Sequence, residues 1–325
     1  MKRIIPSPLS RRDFLRQLLG ASALAATGLG SNVALAQTQL APAAATPFRF
    51  AFLTDLHLMK DGSLRSAEGI ATCLGEVEKL TPRPEFILVG GDLVNACRDL
   101  TVPEAEQRLD LFLKIWHDHT ALPAHWVFGN HDLVGTSLPH PPLTDRHYAK
   151  GLFHDRFNLP RLFYTFDWKG WHFVVLDDIA LDPTNHYFAQ LAAEEFPFLQ
   201  ADLEAHRATP TILCTHIPLL SAAPFSLAFA KQSGMQAHSP RTLVCTNAGE
   251  VYADFPRHDV RAVLCGHLHH YERLEMNGVS FINSGAVCGN YWKGPMLDCV
   301  EGFGVVDLPA QGLIAFDYRG YGWKA

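Results

Sequence analysis

Five short segments hold most of the side chains in this chain that could do chemistry: Asp55-Leu56-His57, Gly91-Asp92, Gly129-Asn130-His131-Asp132, His216 and Gly266-His267-Leu268-His269. Their carboxylate, amide and imidazole groups suit manganese, iron or zinc and disfavour ions that demand thiolates. Four of the five end, or directly follow, a short apolar run that reads as a buried strand. A strand delivers its last residues to one edge of a sheet, so strands ending near these positions can converge their side chains on one crevice. Asp92 is the natural bridge between two ions, because a carboxylate has two oxygens and its charge offsets their repulsion. Asp55, His57, Asp92 and His269 would then serve one ion, and Asp92, Asn130, His216 and His267 the other.

The elements that must position these residues alternate along the chain. Residues 48–54 read as a strand, 66–80 as a helix, and 86–89 as a strand running into Gly90-Gly91-Asp92. A helix over 104–119 has Pro103 near its start and Leu109, Leu113 and Trp116 at helical spacing. Residues 125–128 form the next strand, and 164–168 with 171–176, split by Lys169-Gly170, a hairpin. A helix over 197–206 and a buried strand over 211–215 follow. Strands over 261–265 and 279–283 continue the pattern, and 303–308 with 313–318 close it as a hairpin. No internal repeat interrupts it. The pattern predicts one α/β domain over 48–325, built on β-sheet layers with outer helices.

At 325 residues and 48% hydrophobic, the chain can bury a large core. Its net charge of -6 hides an asymmetry, because residues 1–36 carry Lys2, Arg3, Arg11, Arg12 and Arg16 against the single acid Asp13. Without them 22 basic and 32 acidic side chains remain, a balance of -10. Such an acidic body argues against a nucleic-acid groove, which needs clustered Lys and Arg. Ser10-Arg11-Arg12-Asp13-Phe14-Leu15-Arg16 resembles the twin-arginine export signature; an apolar Ala/Gly/Leu stretch follows, and Ala34-Leu35-Ala36 offers small residues to signal peptidase. The expectation is a signal peptide over 1–36, Gln37 as the first mature residue and a flexible lead-in over 37–47. The protein would meet the twin-arginine export machinery and be periplasmic or otherwise exported. Gly20, Ser22, Gly28, Gly30 and Ser31 make the leader a poor spanning helix, so a membrane enters only if the leader stays uncleaved. Seven cysteines at irregular spacing do not make a disulfide framework, although Cys288 and Cys299 could pair in an oxidising compartment. Export of a folded protein implies a fold that does not depend on such a bridge.

The order D-x-H, G-D, G-N-H-D, a lone histidine ahead of Pro218, then G-H-x-H resembles the calcineurin-like metallophosphoesterases, from about Phe48 to Gly285. The resemblance implies a two-layer β-sandwich flanked by α-helices. It also implies two metal ions (Mn2+, Fe2+/Fe3+ or Zn2+) that hydrolyse phosphate esters through a metal-bound hydroxide. Its ligands fall on Asp55, His57, Asp92, Asn130, His216, His267 and His269. His131 is not a ligand in that scheme; it faces the phosphate, to protonate the leaving oxygen or stabilise the transition state. Asp132 either orients His131 or caps the following turn. Where purple acid phosphatases carry a tyrosine ligand three residues after the bridging aspartate, this chain has Asn95. Asn95-Ala96-Cys97-Arg98 also fails to reproduce the arginine-containing signature of the protein serine/threonine phosphatases. The pattern is most similar to small phosphodiesterases that include bacterial cyclic-nucleotide enzymes. The expected function is hydrolysis of a small phosphate ester, a phosphodiester ahead of a nucleotide or sugar monoester. A non-catalytic metal-binding scaffold is the alternative of another class, and the complete ligand set with His131 counts against it.

Three segments should rim the site: 133–148, 182–195 and 221–256, the last long enough to hold short helices or a lid. Asn185, His186, Tyr187 and Phe225 could stack on or hydrogen-bond a leaving group, and residues 289–294 could also reach the rim. His270 would point away from the ligands if its segment is extended. His140, His147, His154, His186, His238 and His258 lie in loops or helices without ligand spacing.

Overall fold

In a computed structural model the apolar runs become strands β1 (Phe48–Leu53), β2 (Ile87–Val89), β3 (Ala124–Trp126), β4 (Tyr164–Trp168), β5 (Trp171–Val175), β6 (Ile179–Leu181), β7 (Tyr187–Ala189), β8 (Thr211–Cys214), β9 (Val260–Cys265), β10 (Glu272–Met276), β11 (Val279–Asn283), β12 (Gly302–Leu308) and β13 (Ala315–Gly320). The helices are α1 (Ser66–Glu78), α2 (Val102–His119), α3 (Gly151–Phe157), α4 (Glu195–Ala205), α5 (Leu227–Ser233) and α6 (Ala248–Tyr252). The structure describes residues 45–233, 240–310 and 313–325; the expected signal peptide, the lead-in before residue 45 and His238 lie outside them.

Two sheets carry the fold. One has the order β13-β12-β1-β2-β3, with β1, β2 and β3 parallel and the closing hairpin added antiparallel along β1. The other has the order β10-β11-β9-β8-β5-β4, parallel in its centre and antiparallel at both edges. Strand side chains alternate between faces, and β1 shows the consequence. Phe48, Phe50 and Phe52 share an inner core with Phe86, Leu88, Trp171, Phe173, Ile212 and Leu264 from both sheets. Phe50 stacks on Phe86 at 4.9 Å, and Phe173 meets both edge-on at 5.7 and 5.6 Å. Burying each such phenyl group stabilises the sandwich by about 2 kcal/mol relative to exposure. The alternate residues Ala51 and Leu53 pack instead with Ile70, Leu74 and Val77 of α1 and with Leu109 and Phe112 of α2. The expected two-layer sandwich with outer helices is therefore the observed architecture.

Several boundaries differ for local reasons. Helix α2 starts at Val102, two residues earlier than the periodicity implied, because Thr101 and Glu104 close its first turn; the Thr101 N–H donates to the Glu104 carboxylate at 2.9 Å. Strand β10 was not anticipated, since Glu272, Arg273 and Glu275 give it no apolar run. It pairs with β11 through Asn277-Gly278, both at positive φ (51° and 85°), which is hairpin-turn chemistry. Residues 221–256 hold α5, α6 and short 3-10 turns, as their length implied. All seven cysteines are buried and free, so the Cys288–Cys299 pair is not formed. Among the described residues no helix is long and apolar enough to cross a membrane.

Candidate metal centre

Chain segments leaving β1, β2, β3, β8 and β9 supply the site, three strands from one sheet and two from the other. After β1 the chain turns so that Asp55 (φ 55°) and His57 (φ 41°) both adopt left-handed backbone, with Leu56 buried between them. The same figure recurs after β9, where His267 (φ 69°) and His269 (φ 55°) flank the buried Leu268. Asp92, after β2, is also left-handed (φ 55°). Such conformations cost about 1 kcal/mol or more for a residue with a side chain, and they persist only where the surroundings enforce them. Here Asp55 N–H donates to Gly91 O at 3.0 Å and His57 N–H to Asp92 O at 2.9 Å, which locks one turn against the next. The motif glycines leave room for the carboxylates. A Cβ at Gly129 would stand 2.2 Å from Asp92 Oδ1, and one at Gly266 2.4 Å from Asp55 Oδ2.

The side chains then converge. Asp92 Oδ2 lies 3.4 Å from His57 Nε2 and 3.3 Å from His216 Nε2, between two groups of donors. On one side His57 Nε2 is 3.1 Å from His269 Nε2, which is 3.3 Å from Asp55 Oδ1. On the other, His216 Nε2 is 3.0 Å from Asn130 Oδ1, and the ligand atoms of Asp92, His216 and His267 all lie within 4.8 Å of one another. Backbone carbonyls set the tautomers by accepting one ring N–H and leaving the other nitrogen's lone pair free. His216 Nδ1 donates to Gly90 O at 2.8 Å, His269 Nδ1 to Gly289 O at 2.5 Å, and His267 Nε2 to Thr242 O at 2.7 Å.

These residues fit a pair of metal ions. The buried Asp55 Oδ1 has no hydrogen-bond partner, and in their neutral, ligand-ready form His57 Nε2, His269 Nε2, Asp55 Oδ1 and Asp92 Oδ2 turn lone pairs toward one another across gaps of 3.1 to 3.4 Å. Ligand bonds of about 2.1 Å place neighbouring donors roughly 3.0 to 3.4 Å apart around one ion, so the spacing is that of a shared cation. Burial alone would raise the Asp92 carboxyl, but His216 and the neighbouring imidazoles hold it far below its ordinary range. Conversely, burial opposes a charge on His216, yet Asp92 pushes it up to about 10. Burial and the adjacent His216 bring His267 down to about 4. Cys288 touches His269 on its carbonyl-bonded side (3.7 Å from Nδ1), and burial raises its thiol, so it stays protonated.

His131 stands beside the ligands. Its backbone N–H donates to Asp92 Oδ1 at 2.7 Å, and its ring packs edge-on against His57 at 4.6 Å. Ala96 N–H donates to His131 Nδ1 at 3.1 Å, which leaves the ring proton on Nε2, and burial holds the imidazole neutral. Asp132 does not contact that ring. Its carboxylate accepts the backbone N–H groups of Asp92, Leu93 and Gly129, each at 3.0 Å. Asp132 was expected to orient His131 or to cap the following turn; its carboxylate instead holds Gly129 and the turn after β2, and the Ala96 amide contacts the His131 ring. Tyr291 comes from the 289–294 turn and is within 4.7 Å of His57 and 4.8 Å of His269, ring to ring. Its anchor is the next residue: the buried Trp292 donates its indole N–H to His57 O at 2.9 Å. Both residues are left-handed (φ 51° and 66°). The sequence offered residues 289–294 as a rim segment, but not Tyr291 as a residue against the ligands, because strain and a long-range anchor carry it there.

A cleft of about 370 Å3 adjoins the centre, lined in part by Arg98, Asn185, His186, Tyr187, Arg241 and Thr242. All three segments expected to rim the site contribute to it. Phe225 does not line it and stands 89% exposed on the Ala223–Phe225 turn. His270 joins no ligand group, and its carbonyl accepts the Asn283 amide.

A β-sandwich whose rim gathers carboxylate, amide and imidazole donors around a shared aspartate defines a class, the metallophosphoesterases. The sequence profile of the calcineurin-like phosphoesterases matches residues 48–271, and the chain belongs to that family. It is 25% identical over 248 residues to a 3',5'-cyclic-nucleotide phosphodiesterase of Nostoc sp., covering 74% of this chain and 79% of that protein. It is 24% identical over 246 residues to the 3',5'-cyclic adenosine monophosphate phosphodiesterase of Haemophilus influenzae, covering 73% and 75%. A dimetal phosphatase from Danio rerio shares the fold with a TM-score of 0.57 at 15% identity, over 84% of this chain and 96% of that one.

Proposed function

We propose that this protein is a two-metal phosphodiesterase acting on a small phosphodiester. The position of Asp92 Oδ2, 3.4 Å from His57 Nε2 and 3.3 Å from His216 Nε2 with a donor set beyond each, carries the reading. The two cyclic-nucleotide phosphodiesterases among its relatives support a diester substrate. Asp55, His57, Asp92 and His269 would hold one ion, and Asp92, Asn130, His216 and His267 the other; manganese, iron and zinc all suit these donors. When bound, such ions activate a water and neutralise phosphate oxygens during in-line displacement. His131, neutral with its proton on Nε2, serves as a hydrogen-bond donor to charge developing on the phosphate or the leaving oxygen rather than as an imidazolium acid. Asp132 and the Ala96 amide keep Asp92 and His131 in place.

The leader supports an exported enzyme. Its Arg11-Arg12 pair would address the twin-arginine machinery, with cleavage before Gln37 releasing a periplasmic protein. A mature mass beginning elsewhere would overturn that assignment.

Hydrolysis of bis-p-nitrophenyl phosphate against p-nitrophenyl phosphate by the manganese-loaded mature protein, alongside elemental analysis, tests the activity. Preference for the diester is expected. Preference for the monoester would make the protein a phosphomonoesterase, and two bound ions without turnover on either would make it a scaffold.

A further inference from the structure

The cleft beside the metal centre carries a charge that the metal chemistry does not use. Its position follows from chain connections. Thr242, on its wall, accepts the His267 ring N–H at 2.7 Å, and the Tyr187 ring lies 6.3 Å from the His267 ring. Arg98, on the opposing segment, is two residues beyond Ala96, whose amide fixes His131 at 3.1 Å. The cleft therefore opens against His131 and the second ion's ligands, where one side of a bound ester must lie.

Its two arginines differ in commitment. Arg241 donates to Asp182 Oδ2 at 2.9 Å and stacks over Phe188 at 4.5 Å. Asp182 is itself fixed at the β6–β7 hairpin tip, accepting the amides of Thr184 and His186 at 2.9 and 3.1 Å. The Arg241 charge is thus balanced by Asp182. Arg98 has no side-chain hydrogen bond among the described residues. Its nearest carboxylate, Asp99, is 3.9 Å away, 56% exposed and not part of the cleft wall. A guanidinium with its fork of donors unused, beside Ser137 and Thr136 hydroxyls, is matched by an oxyanion.

We propose that this cleft is a subsite for a second oxyanion, a carboxylate or phosphate carried by the substrate apart from the reacting phosphate, with Arg98 as its principal ligand and Arg241 as its wall. The inference rests on the phosphodiesterase reading and narrows it. A 3',5'-cyclic mononucleotide has one negative charge and would leave Arg98 unpaired, so the substrate class is a phosphodiester bearing an additional acidic group.

The test uses the manganese-loaded full-length mature protein and two nearly isosteric symmetric diesters, bis(3-carboxyphenyl) phosphate and bis(3-carbamoylphenyl) phosphate. Wild type should hydrolyse the carboxylate with kcat/KM about tenfold higher, mostly through KM, as one charge-assisted contact allows. Arg98→Met should bring the ratio near one, and Arg98→Lys should restore part of it. An equal fall on both substrates would place Arg98 on the reacting phosphate and overturn the subsite, as would indifference of the wild type. Calorimetric binding of the same pair separates the two readings. If neither diester turns over, the phosphodiesterase reading fails, while tighter binding of the carboxylate lost in Arg98→Met still sustains the subsite and equal binding refutes it. A third diester with phosphonate in place of carboxylate ranks the two oxyanions.

Discussion

His131 and Asp132 are neighbours with separable duties, and their variants should separate them. Removing the His131 ring takes away one donor to developing charge, so His131→Ala should lower kcat by about 100- to 1,000-fold while metal content stays at the wild-type level. Asp132→Ala instead strips four buried N–H groups of their acceptor, for a loss of about 3 kcal/mol in stability, and should lower metal content together with activity. Elemental analysis and a urea midpoint on both variants check this contrast; loss of metal in His131→Ala would make it a ligand. The ligand imidazoles also make metal uptake a proton exchange. Without ions, Asp92 keeps His216 protonated up to a pH of about 10, although burial opposes that charge, and a metal needs the neutral ring. Affinity should therefore rise with pH across 5.5 to 9, and loading at pH 7.5 should release protons, read as a buffer-dependent calorimetric heat. A pH-independent affinity would contradict the geometry.

Two devices act between elements. His172 of β5 is buried between Asp167 Oδ1 of β4 and Asp202 Oδ2 of α4, both at 2.7 Å, and stacks on His206 at 3.7 Å. It has donor spacing, yet both its nitrogens are spent stapling the helix to the hairpin. Burial disfavours its charge, but the two carboxylates prevail and raise its pKa above the ordinary value. The stabilisation is therefore full below the unfolded-state pKa of about 6.5 and fades as pH rises through the folded value. The gap in urea midpoint between wild type and His172→Gln should be wider at pH 6 than at pH 9, and a gap that widens with pH would refute the charged staple. The second device is in α1. A Cβ at Gly69 would sit 2.1 Å from the Trp292 ring, whereas one at Gly75 meets nothing within 4 Å. Gly69→Ala should cost about 1 to 3 kcal/mol and, by displacing the turn that carries Tyr291 and Gly289, loosen the His269 ion. Gly75→Ala should be neutral or stabilising by up to about 1 kcal/mol. Such features divide what the sequence makes legible from what it does not. Strands that end in apolar runs announce themselves, and so do ligands placed just beyond them. Strand β10, charged and at an edge, showed only in its Asn277-Gly278 turn, and Tyr291 and Arg98 acquire meaning from residues far away in the chain, His57 for the first and Arg241 and Thr242 for the second.

Taken as a whole, the molecule places its ligands on both layers: Asp55, Asp92 and Asn130 follow strands of one sheet, His216 and His267 strands of the other. Ions bound there would tie the layers together, so chelation should lower the melting temperature, with a dependence on free metal worth about 2.7 kcal/mol at a hundred times Kd. An unchanged melting curve would mean that the sheets hold without them. The net charge of -10 beyond residue 36 would oppose the proposed anionic substrate at long range, leaving its attraction to the proposed ions and Arg98 close by. The cysteines have a further consequence. Seven unpaired thiols, every one shielded by packing, are inert while the chain is folded. Were the chain exported as proposed and then to open in an oxidising compartment, they would become partners for bridges that the native packing does not accommodate. Unfolding there would be a one-way event, and the protein's working lifetime would be governed by how fast it opens rather than by how well it could refold.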